Sequence, residues 1–241
     1  MHLIGTVAKT SVDSIQLIEP DQESSMLDYL REISPYNDLS DAELESFAGI
    51  ATKRNYRKNM VLIQQGDDTG SLYILLEGEM RVYVEDDQGR ELTVKILKPG
   101  DSFGELALLG DFQRIANVVA MTDCVVSTVS KASYLAILKE NPQISLALIK
   151  SLAHMVRETT EELSCIALLD VYGRLTHILD KYAVEREGQK QIPKFTHREI
   201  SNMIGSSREM VSKIMKELEK GEYISVSDEH YLLNKSLPAR W

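Results

Sequence analysis

Three kinds of hydrophobic pattern follow one another along the chain. Between residues 60 and 130, short runs rich in β-branched and aromatic residues are separated by turn segments such as GDDTG, DDQG and KPGD. Short strands at close, regular intervals are typical of an antiparallel barrel or jelly roll. After Pro142 the apolar spacing becomes helical and continues for about 28 residues without Gly or Pro. The rest of the chain returns to short helical and strand-like segments.

A row of mostly apolar positions in the long helical segment recurs at alternating steps of four and three residues. These positions are Leu152, Val156, Thr159, Leu163 and Ile166. Such steps are the spacing of a coiled-coil seam, which predicts that the helix pairs with a second copy. A helix that lies on its own barrel is the alternative. The length of the segment favours the dimerisation helix.

Two short helices and a hairpin are predicted near the C-terminus. Thr196 and Glu199 have the spacing of a capping box, and Gly205 ends the helix that they begin. A second amphipathic helix follows. The runs YISVS and HYLLN on either side of DE then form a hairpin. This order predicts a winged helix-turn-helix, preceded by the polar loop REGQKQ.

The predicted elements describe an α+β protein with four parts. At 241 residues, the chain exceeds the usual size of one domain. Residues 1–22 lack a sustained period and are predicted to be a flexible N-terminal arm. A jelly-roll sensor domain is expected over residues 23–141 and a dimerisation helix over residues 142–169. Residues 170–241 are expected to form the winged helix-turn-helix domain.

The charge of the chain is unevenly distributed. The net charge is −10, but residues 170–241 carry +1 and residues 1–169 carry −11. Only the C-terminal part could therefore tolerate a polyanion. No apolar stretch approaches the 18 or so residues of a membrane span, and the start of the chain lacks a secretion pattern. We expect a cytoplasmic protein without a membrane partner.

An acid and an arginine lie nine positions apart in the mostly apolar segment FGELALLGDFQRIANV. Inside a barrel, Glu105 and Arg114 would each be costly to leave unpaired, so they either pair with one another or face a ligand. A ligand with both hydroxyls and an anion would satisfy both, and Gly104 would let backbone N–H groups approach that anion. A structural Glu–Arg salt bridge is the alternative.

The outward face of the second helix in the predicted helix-turn-helix carries base-reading chemistry. Its residues are Arg208, Glu209, Ser212 and Lys213. Arginine and lysine bond to guanine and glutamate accepts from cytosine N4, so the set matches G·C pairs. Candidates for phosphate contacts are Ser201, Ser206, Ser207, Lys194 and Lys216. Alternatively, Glu209 only completes a capping box with Ser206, and the two cations of the helix are a solvated face.

Two segments resemble a known family. FGELALLGDFQRIANV resembles the phosphate-binding cassette of cyclic-nucleotide-binding domains, and THREISNMIGSSREMVSKIMKELEKGEYI resembles the helix-turn-helix of the CRP/FNR family of bacterial regulators. The similarity spans roughly residues 34–234 and looks greatest to the cAMP receptor protein subgroup. It implies an N-terminal cyclic-nucleotide-binding β jelly roll, a long dimerisation helix and a C-terminal winged helix-turn-helix.

This resemblance implies a homodimer with cAMP as the effector. Glu105 would accept the ribose 2′-hydroxyl, and Arg114 would pair with the cyclic phosphate. Thr159 and Thr160 would reach the adenine across the dimer. The other implied ligand positions are Gly104, Leu106 and Ile115 near the phosphate, with Val94 and Leu97 as walls of the pocket.

The resemblance also implies double-stranded DNA as a partner, through a palindrome with TGTGA-like half-sites. Arg208 and Glu209 match the base-reading residues of the family, while Lys213 replaces an arginine. Because lysine lacks the two-pronged guanidinium, looser discrimination is expected at its base. The other DNA-binding candidates are Arg198, Ser206, Ser207 and Ser212. RNA polymerase is an implied partner, although the loop VEREGQKQIPKF is shorter than the one that carries the usual contact.

Ile115 departs from the cAMP receptor pattern, which has a serine whose hydroxyl touches the phosphate. The lost hydrogen bond to a charged group costs about 1.5–3 kcal/mol. Related eukaryotic domains carry alanine there, which implies that the backbone N–H and the arginine can suffice. A cyclic dinucleotide, another small anion or no effector at all remain alternatives. So does an enzyme with a targeting domain, which no HxxxH, HD or nucleophile–base pair supports.

No metal, haem or iron–sulfur cluster is expected. Cys124 and Cys165 are too far apart for a CxxC site and are predicted to be reduced thiols in the core. The iron–sulfur branch of the family needs an N-terminal cysteine cluster, and no cysteine precedes Cys124. The haem-sensing branch needs axial ligands in the barrel, where no histidine lies between His2 and His154.

Overall fold

The computed structural model describes residues 39–186 and 188–238, and the predicted N-terminal arm lies outside these ranges. The first part of the chain contains, in order, α1 (Asp41–Ala48), β1 (Ala51–Tyr56), β2 (Val61–Ile63), β3 (Ser71–Glu77), β4 (Met80–Glu85), β5 (Glu91–Leu97), β6 (Ser102–Phe103), α2 (Glu105–Gly110), β7 (Asn117–Ala120), β8 (Cys124–Ser130), α3 (Lys131–Glu140) and α4 (Pro142–Leu168). The second part contains α5 (Val171–Lys181), β9 (Val184–Arg186), β10 (Gln189–Pro193), α6 (His197–Ile204), α7 (Arg208–Lys220), β11 (Ile224–Val226) and β12 (His230–Leu233).

The strands of the first part form a jelly roll of two antiparallel sheets. Their strand orders are β1-β8-β3-β6 and β2-β7-β4-β5. Alternate side chains point between the sheets, where Leu75, Met80, Phe103 and Val126 lie in one apolar core. The predicted runs correspond to β2, β3, β4, β5, β7 and β8, whereas β1 and the two-residue β6 are outside the predicted runs.

Helices cover the outer face of the β1-β8-β3-β6 sheet. Leu72, Ile74 and Leu76 of β3 point outward and are buried under α1, α3 and the start of α4. The rings of Phe47 and Tyr134 meet edge to face there, with centroids 6.1 Å apart. β3 is therefore buried on both faces, which explains its unbroken apolar sequence.

The long helix α4 has 27 residues and leaves the barrel after its first turns. Pro142 stands at its start, where a missing N–H group is not needed. Ile144, Ala147 and Leu148 are buried against the barrel, and Leu152 packs partly on the same core. The alternative of a helix that lies on its own barrel therefore applies to this end alone. Leu152, predicted as a dimer contact, packs at least partly against the barrel of its own chain.

The second part of the chain has its own core. Asp170 begins α5, and its side chain accepts a hydrogen bond from the Gly173 N–H at 2.8 Å. The predicted capping box of Thr196 and Glu199 is present at the start of α6. Gly205, with a φ of 59°, ends that helix in the left-handed region, as predicted. The inner faces of α5, α6 and α7 then meet over a core that includes Leu175, Ile200, Val211, Ile214 and Met215.

The prediction that REGQKQ forms a polar loop is wrong. Arg186 ends β9 and Gln189 begins β10, and these strands pair antiparallel with Glu185 opposite Lys190. Gly188 takes up the turn with a φ of 75°. β10 also pairs with β12, so the wing is part of a sheet with the order β11-β12-β10-β9.

The architecture confirms the α+β fold class: a β-sandwich domain, a long helix and a C-terminal helix-turn-helix with a wing. Among the helices of the described ranges, none has an apolar stretch long enough to cross a membrane.

Candidate functional site

Gly104 and Glu105 lie where β6 meets α2. Gly104 has a φ of 89°, in the region that favours glycine. A Cβ on this residue would lie 2.7 Å from Arg114 Nη1 and 2.8 Å from the Ser71 carbonyl oxygen. Backbone conformation and the close approach of the arginine both require glycine here. The turn places Glu105, the first residue of α2, within electrostatic range of Arg114.

Three uncharged oxygens of the protein hold the guanidinium of Arg114, which is 3% exposed. Nε donates to Thr69 Oγ1 at 3.2 Å, Nη1 donates to the Gly104 carbonyl at 2.7 Å, and Nη2 donates to the Ser71 carbonyl at 2.9 Å. Burial lowers the pKa of the guanidinium, but arginine remains protonated in proteins. Nη1 and Nη2 each carry a second N–H group that these bonds do not use. The cation is therefore fixed and retains donors for an anion.

Glu105 is a buried carboxylate with an unsatisfied oxygen. The residue is 4% exposed, and Oε2 has no hydrogen-bond partner in the described part of the chain. Burial raises the pKa of Glu105, while its own backbone N–H and the charges of Lys95 and Arg114 oppose the rise. An unsatisfied buried acceptor costs about 1–3 kcal/mol. A hydrogen-bond donor from a ligand could satisfy this oxygen.

The alternative of a structural salt bridge between Glu105 and Arg114 is wrong. The three hydrogen bonds of the arginine go to uncharged oxygens, and Glu105 Oε2 has none within the described residues. Each side chain is held in place separately, and both remain available to a ligand.

The other candidate ligand positions in the barrel differ in burial. Leu97 is 2% exposed and belongs to the core between the sheets. Val94 is 49% exposed, because a bulge in the β4–β5 pairing leaves it without a partner on β4. Leu106 is half-buried. Ile115 is 55% exposed.

Thr159 and Thr160 lie on the exposed part of α4. Their hydroxyls donate to the carbonyls of Met155 and Val156, one turn earlier, at 2.8 Å each. The hydroxyl oxygens keep lone pairs as acceptors, and the groups can rotate toward another partner. These threonines do not touch Glu105 or Arg114 of their own chain in any hydrogen bond of the described residues.

The remaining seam of α4 is exposed. Val156 is 66% exposed, Leu163 is 64% exposed and Ile166 is 43% exposed. Ile149, one step before the predicted seam, is 60% exposed. These side chains form an exposed, mostly apolar row along the helix.

Three neighbours of the site have no counterpart in the sequence analysis. Thr69 and Ser71 accept from Arg114 across 45 and 43 residues of sequence, which no local spacing reveals. Lys95 Nζ lies 3.0 Å from Asp101 Oδ1 and 3.9 Å from Glu158 Oε2 on α4. It therefore connects the barrel with the turn of α4 that precedes the two threonines.

The base-reading candidates are presented by α7. The N-cap of α7 is Ser207, whose hydroxyl accepts from the Met210 N–H at 3.2 Å, so the alternative capping box of Ser206 and Glu209 is wrong. Arg208, Glu209 and Lys213 are exposed. None of these three makes a hydrogen bond or ion pair within residues 39–186 and 188–238. The helix therefore presents uncommitted charges along its outer face.

The polar residues around this helix divide into exposed and structural groups. Arg198 is exposed on α6 and Ser206 is half-buried in the turn. Ser212 shares a hydrogen bond of 2.8 Å with His197 Nδ1, which ties α7 to α6. Ser201, proposed for phosphate contact, is 5% exposed and donates to the Arg198 carbonyl, so it is part of the core. The other phosphate candidates, Lys194 and Lys216, are exposed.

A polar groove of about 860 Å³ lies in the C-terminal domain, away from Glu105. Its walls include Thr176, Lys190, Asn234 and Lys235. The groove is wide and open, and no buried charged group points into it, so we do not assign the effector to it. Within the described residues, no cluster of His, Cys, Asp and Glu could hold a metal ion.

A β-sandwich domain joined by a long helix to a winged helix-turn-helix is the architecture of a class of DNA-binding transcription regulators. Residues 53–141 match the cyclic nucleotide-binding domain family, and residues 173–236 match the Crp-like helix-turn-helix domain family. The cAMP-activated global transcriptional regulator CRP of Salmonella typhimurium is 33% identical over 192 residues, 77% of this chain and 91% of that protein. The chain belongs to the CRP/FNR family of transcription regulators.

Further proteins are similar to this chain in sequence or in fold. The cAMP-activated global transcriptional regulator Vfr of Pseudomonas aeruginosa is 32% identical over 72% of this chain and 85% of its own length. The c-di-GMP responsive global regulator CLP of Xanthomonas campestris has a TM-score of 0.72 at 23% identity, over 82% of this chain and 100% of that one. A CRP/FNR-family regulator of Thermus thermophilus has a TM-score of 0.60 at 27% identity, over 76% and 93%. All three are named as regulators.

Proposed function

We propose that the protein is a homodimeric transcription regulator that binds cAMP and recognises a DNA palindrome with TGTGA-like half-sites. The observation that carries the effector site is the unpartnered oxygen of buried Glu105, close to the fixed charge of Arg114. The family relation supports a cyclic nucleotide, and relatives at 33% identity are named as cAMP-activated.

The groups in the barrel fit cAMP. This nucleotide supplies one negative charge and a ribose 2′-hydroxyl. Glu105 would accept the hydrogen bond of the hydroxyl through the oxygen that lacks a partner. Arg114 would hold the cyclic phosphate with the N–H groups that its three protein bonds leave over. Leu106 and Ile115 would contribute backbone N–H groups, and Val94 and Leu97 would contact the base.

A second copy of the chain would cover the exposed seam of α4. Val156, Leu163 and Ile166 have the spacing of a two-stranded coiled coil, and water is a poor environment for so long an apolar stripe. In such a dimer the partner's threonine hydroxyls at positions 159 and 160 would reach the adenine of the opposite barrel.

The proposed mechanism couples the ligand to the DNA-binding domains through α4. Ligand held by Glu105 and Arg114 would draw the barrel toward the threonines of the partner helix and shift the pairing of the two α4 helices. The chain between α4 and α5 is extended at Leu169 and Asp170, where a change of direction costs little. The two α7 helices would then stand one DNA turn apart, about 34 Å. A coupling of about 1–3 kcal/mol would suffice.

On the DNA, Arg208, Glu209 and Lys213 would contact base edges because they are exposed and uncommitted. Arg198, Ser206 and Ser207 would contact phosphates, and Ser212 would hold α7 against α6 through His197. RNA polymerase is proposed as a further partner from the family relation alone.

We predict that Ile115→Ser raises the affinity for cAMP by about tenfold or more. The new hydroxyl would stand beside the Arg114 guanidinium and donate to the cyclic phosphate, a bond worth about 1.5–3 kcal/mol. Isothermal titration calorimetry of the variant and of Ile115→Ala separates the hydroxyl from the change in bulk. Equal affinities of the two variants would show that position 115 does not touch the phosphate.

We predict that Arg208→Ala weakens specific DNA binding by about 5- to 150-fold and relaxes the preference at one G·C pair. A bidentate arginine contact to guanine is worth about 1–3 kcal/mol. Lys220→Ala is the matched control, because Lys220 is an exposed cation in the last turn of the same helix. Fluorescence anisotropy with duplexes that differ at single base pairs measures both effects. An identical loss in the two variants would mean that Arg208 supplies only charge.

The function itself is tested by DNA binding with and without cAMP. A duplex with two TGTGA half-sites should bind at least tenfold more tightly at saturating cAMP. If c-di-GMP increases DNA binding and cAMP does not, the effector is a cyclic dinucleotide instead of cAMP. Tight binding that no nucleotide changes would make the protein a regulator without a nucleotide effector.

A further inference from the structure

The DNA-binding domain contacts the β2-β7-β4-β5 sheet of the barrel. Asn202 Nδ2 on α6 donates a hydrogen bond to Glu91 Oε2 on β5 at 3.1 Å. The same oxygen accepts from Arg81 Nη1 on β4 at 2.7 Å. The side chains of Arg81 and Glu91 are only 17% and 24% exposed. One carboxylate thus joins a residue of each domain, and we refer to these three residues as the α6–β5 contact.

Apolar groups pack beside the α6–β5 contact. Ile96 of β5 is 6% exposed and belongs to the core of the DNA-binding domain, together with Met203 and Ile204 of α6. Next to it, a Cβ on Gly205 would lie 3.7 Å from Leu92 Cδ1, an ordinary packing distance. The barrel therefore supplies part of that core, and the two domains meet in a packed interface.

The barrel side of this interface is acidic. Residues 85–91, the hairpin between β4 and β5, carry a net charge of −3. Glu91 stands opposite Glu85 in the strand pairing, and Asp86 and Asp87 follow in the exposed turn. Any polyanion that approaches α6 from this side meets like charge at short range, where screening by salt is weak.

The face of α6 that meets the barrel is also the face that carries a candidate phosphate contact. Arg198 lies one helical turn before Asn202, so the two side chains are neighbours on α6. In a helix-turn-helix, the first helix crosses the DNA backbone. DNA in that position would bring its phosphates beside the acidic hairpin for as long as Asn202 remains bound to Glu91.

We propose that the α6–β5 contact is autoinhibitory: it holds α6 against the acidic β4–β5 hairpin, and tight DNA binding requires α6 to leave β5. This inference deepens the proposed function, because it identifies what restrains the DNA-binding domain before the effector acts. It depends on DNA binding by this domain and not on which nucleotide is the effector.

The test uses the full-length chain without nucleotide and a random-sequence duplex at low salt, so that neither the effector nor the operator needs to be known. Asn202→Ala removes the donor from α6 and introduces a good helix former. The variant should bind the duplex about 5- to 20-fold more tightly than the unmodified chain. Its affinity should also fall more steeply with salt, because a released α6 adds phosphate contacts. Hydrogen exchange of the α6 amides should become faster.

Asp87→Asn is the matched control for charge, since it removes one acid from the same hairpin and the Asp87 side chain makes no hydrogen bond in the described part of the chain. It should change the affinity by about twofold at most and leave the exchange of α6 unchanged.

Glu91→Gln is the second variant and should behave like Asn202→Ala to a smaller extent. Faster exchange of α6 without tighter DNA binding would overturn the proposal, as would unchanged exchange. Failure of the proposed function would appear differently, as an unmodified chain that does not respond to cAMP.

Discussion

Glu105→Gln should lower the affinity for cAMP by about 10- to 100-fold and at the same time stabilise the ligand-free protein. Binding suffers because a charged acceptor is lost, which is worth about 1.5–3 kcal/mol. Stability rises because the variant no longer buries an ionised carboxylate, which burial in this site disfavours. A gain of about 1 kcal/mol corresponds to a melting temperature about 2–4 °C higher.

The stabilising effect of Glu105→Gln should depend on pH. Burial raises the pKa of Glu105, so the folded protein keeps this proton to a higher pH than the unfolded chain. Below its ordinary pKa of 4.5 the carboxyl group is neutral, and its burial does not lower the free energy of unfolding. As the pH rises through the raised pKa of the folded state, the group ionises and the free energy of unfolding falls. The difference between variant and unmodified protein should be greatest at neutral pH and should vanish in acid.

Titration calorimetry and differential scanning calorimetry at two pH values measure these effects. Glu85→Gln is the control, since it makes the same chemical change at an exposed position of β4. It should alter neither binding nor melting by a comparable amount. A Glu105→Gln protein that binds cAMP as the unmodified protein does would contradict the role assigned to this carboxylate.

The double variant Val156→Asp, Leu163→Asp should be monomeric and should bind an operator at least about 100-fold more weakly. Each change places a charge on the seam, where the symmetric partner helix would present the same charge at close range. A monomer contacts one half-site only and loses the gain from simultaneous binding at two, which commonly reaches 10²–10⁴.

Light scattering after size-exclusion chromatography gives the mass, and anisotropy gives the DNA affinity. Leu168→Asp is the matched control, because Leu168 is 81% exposed and lies outside the four-and-three spacing of the seam. It should remain a dimer. A double variant that also remains a dimer would place the interface elsewhere on the chain.

The sequence predicts the strands that have continuous or alternating apolar runs and misses those that are very short or largely polar. β1, with the sequence ATKRNY, is an edge strand whose polar and charged residues break the alternation. The β9–β10 hairpin consists largely of polar residues and is held by backbone pairing with β12. Its only local signal is Gly188, which does not distinguish a hairpin from a loop.

The spacing of Glu105 and Arg114 predicts a common site, but the way in which each side chain is held depends on the tertiary structure. Only the fold shows that Thr69 and Ser71 occupy one side of the guanidinium, and that Glu105 is left without a partner. At α7, two adjacent serines offer two possible caps, and the sequence alone does not decide between them. The observed cap is Ser207, which leaves Glu209 uncommitted.

The long helix shows why two interpretations of one pattern can each apply to part of it. Its first turns carry Ile144 and Leu148 onto the barrel, while Val156 and Leu163 face solvent. Both ends have the same apolar period, so the spacing alone does not separate packing within the chain from packing against a partner.

The most direct test of the effector site is a crystal structure of the protein grown with cAMP. We predict one nucleotide in each barrel, with its 2′-hydroxyl on Glu105, its phosphate on Arg114 and its adenine against threonines of the partner helix. A barrel closed by its own side chains, with cAMP bound at another position such as the groove beside Lys190, would contradict this account.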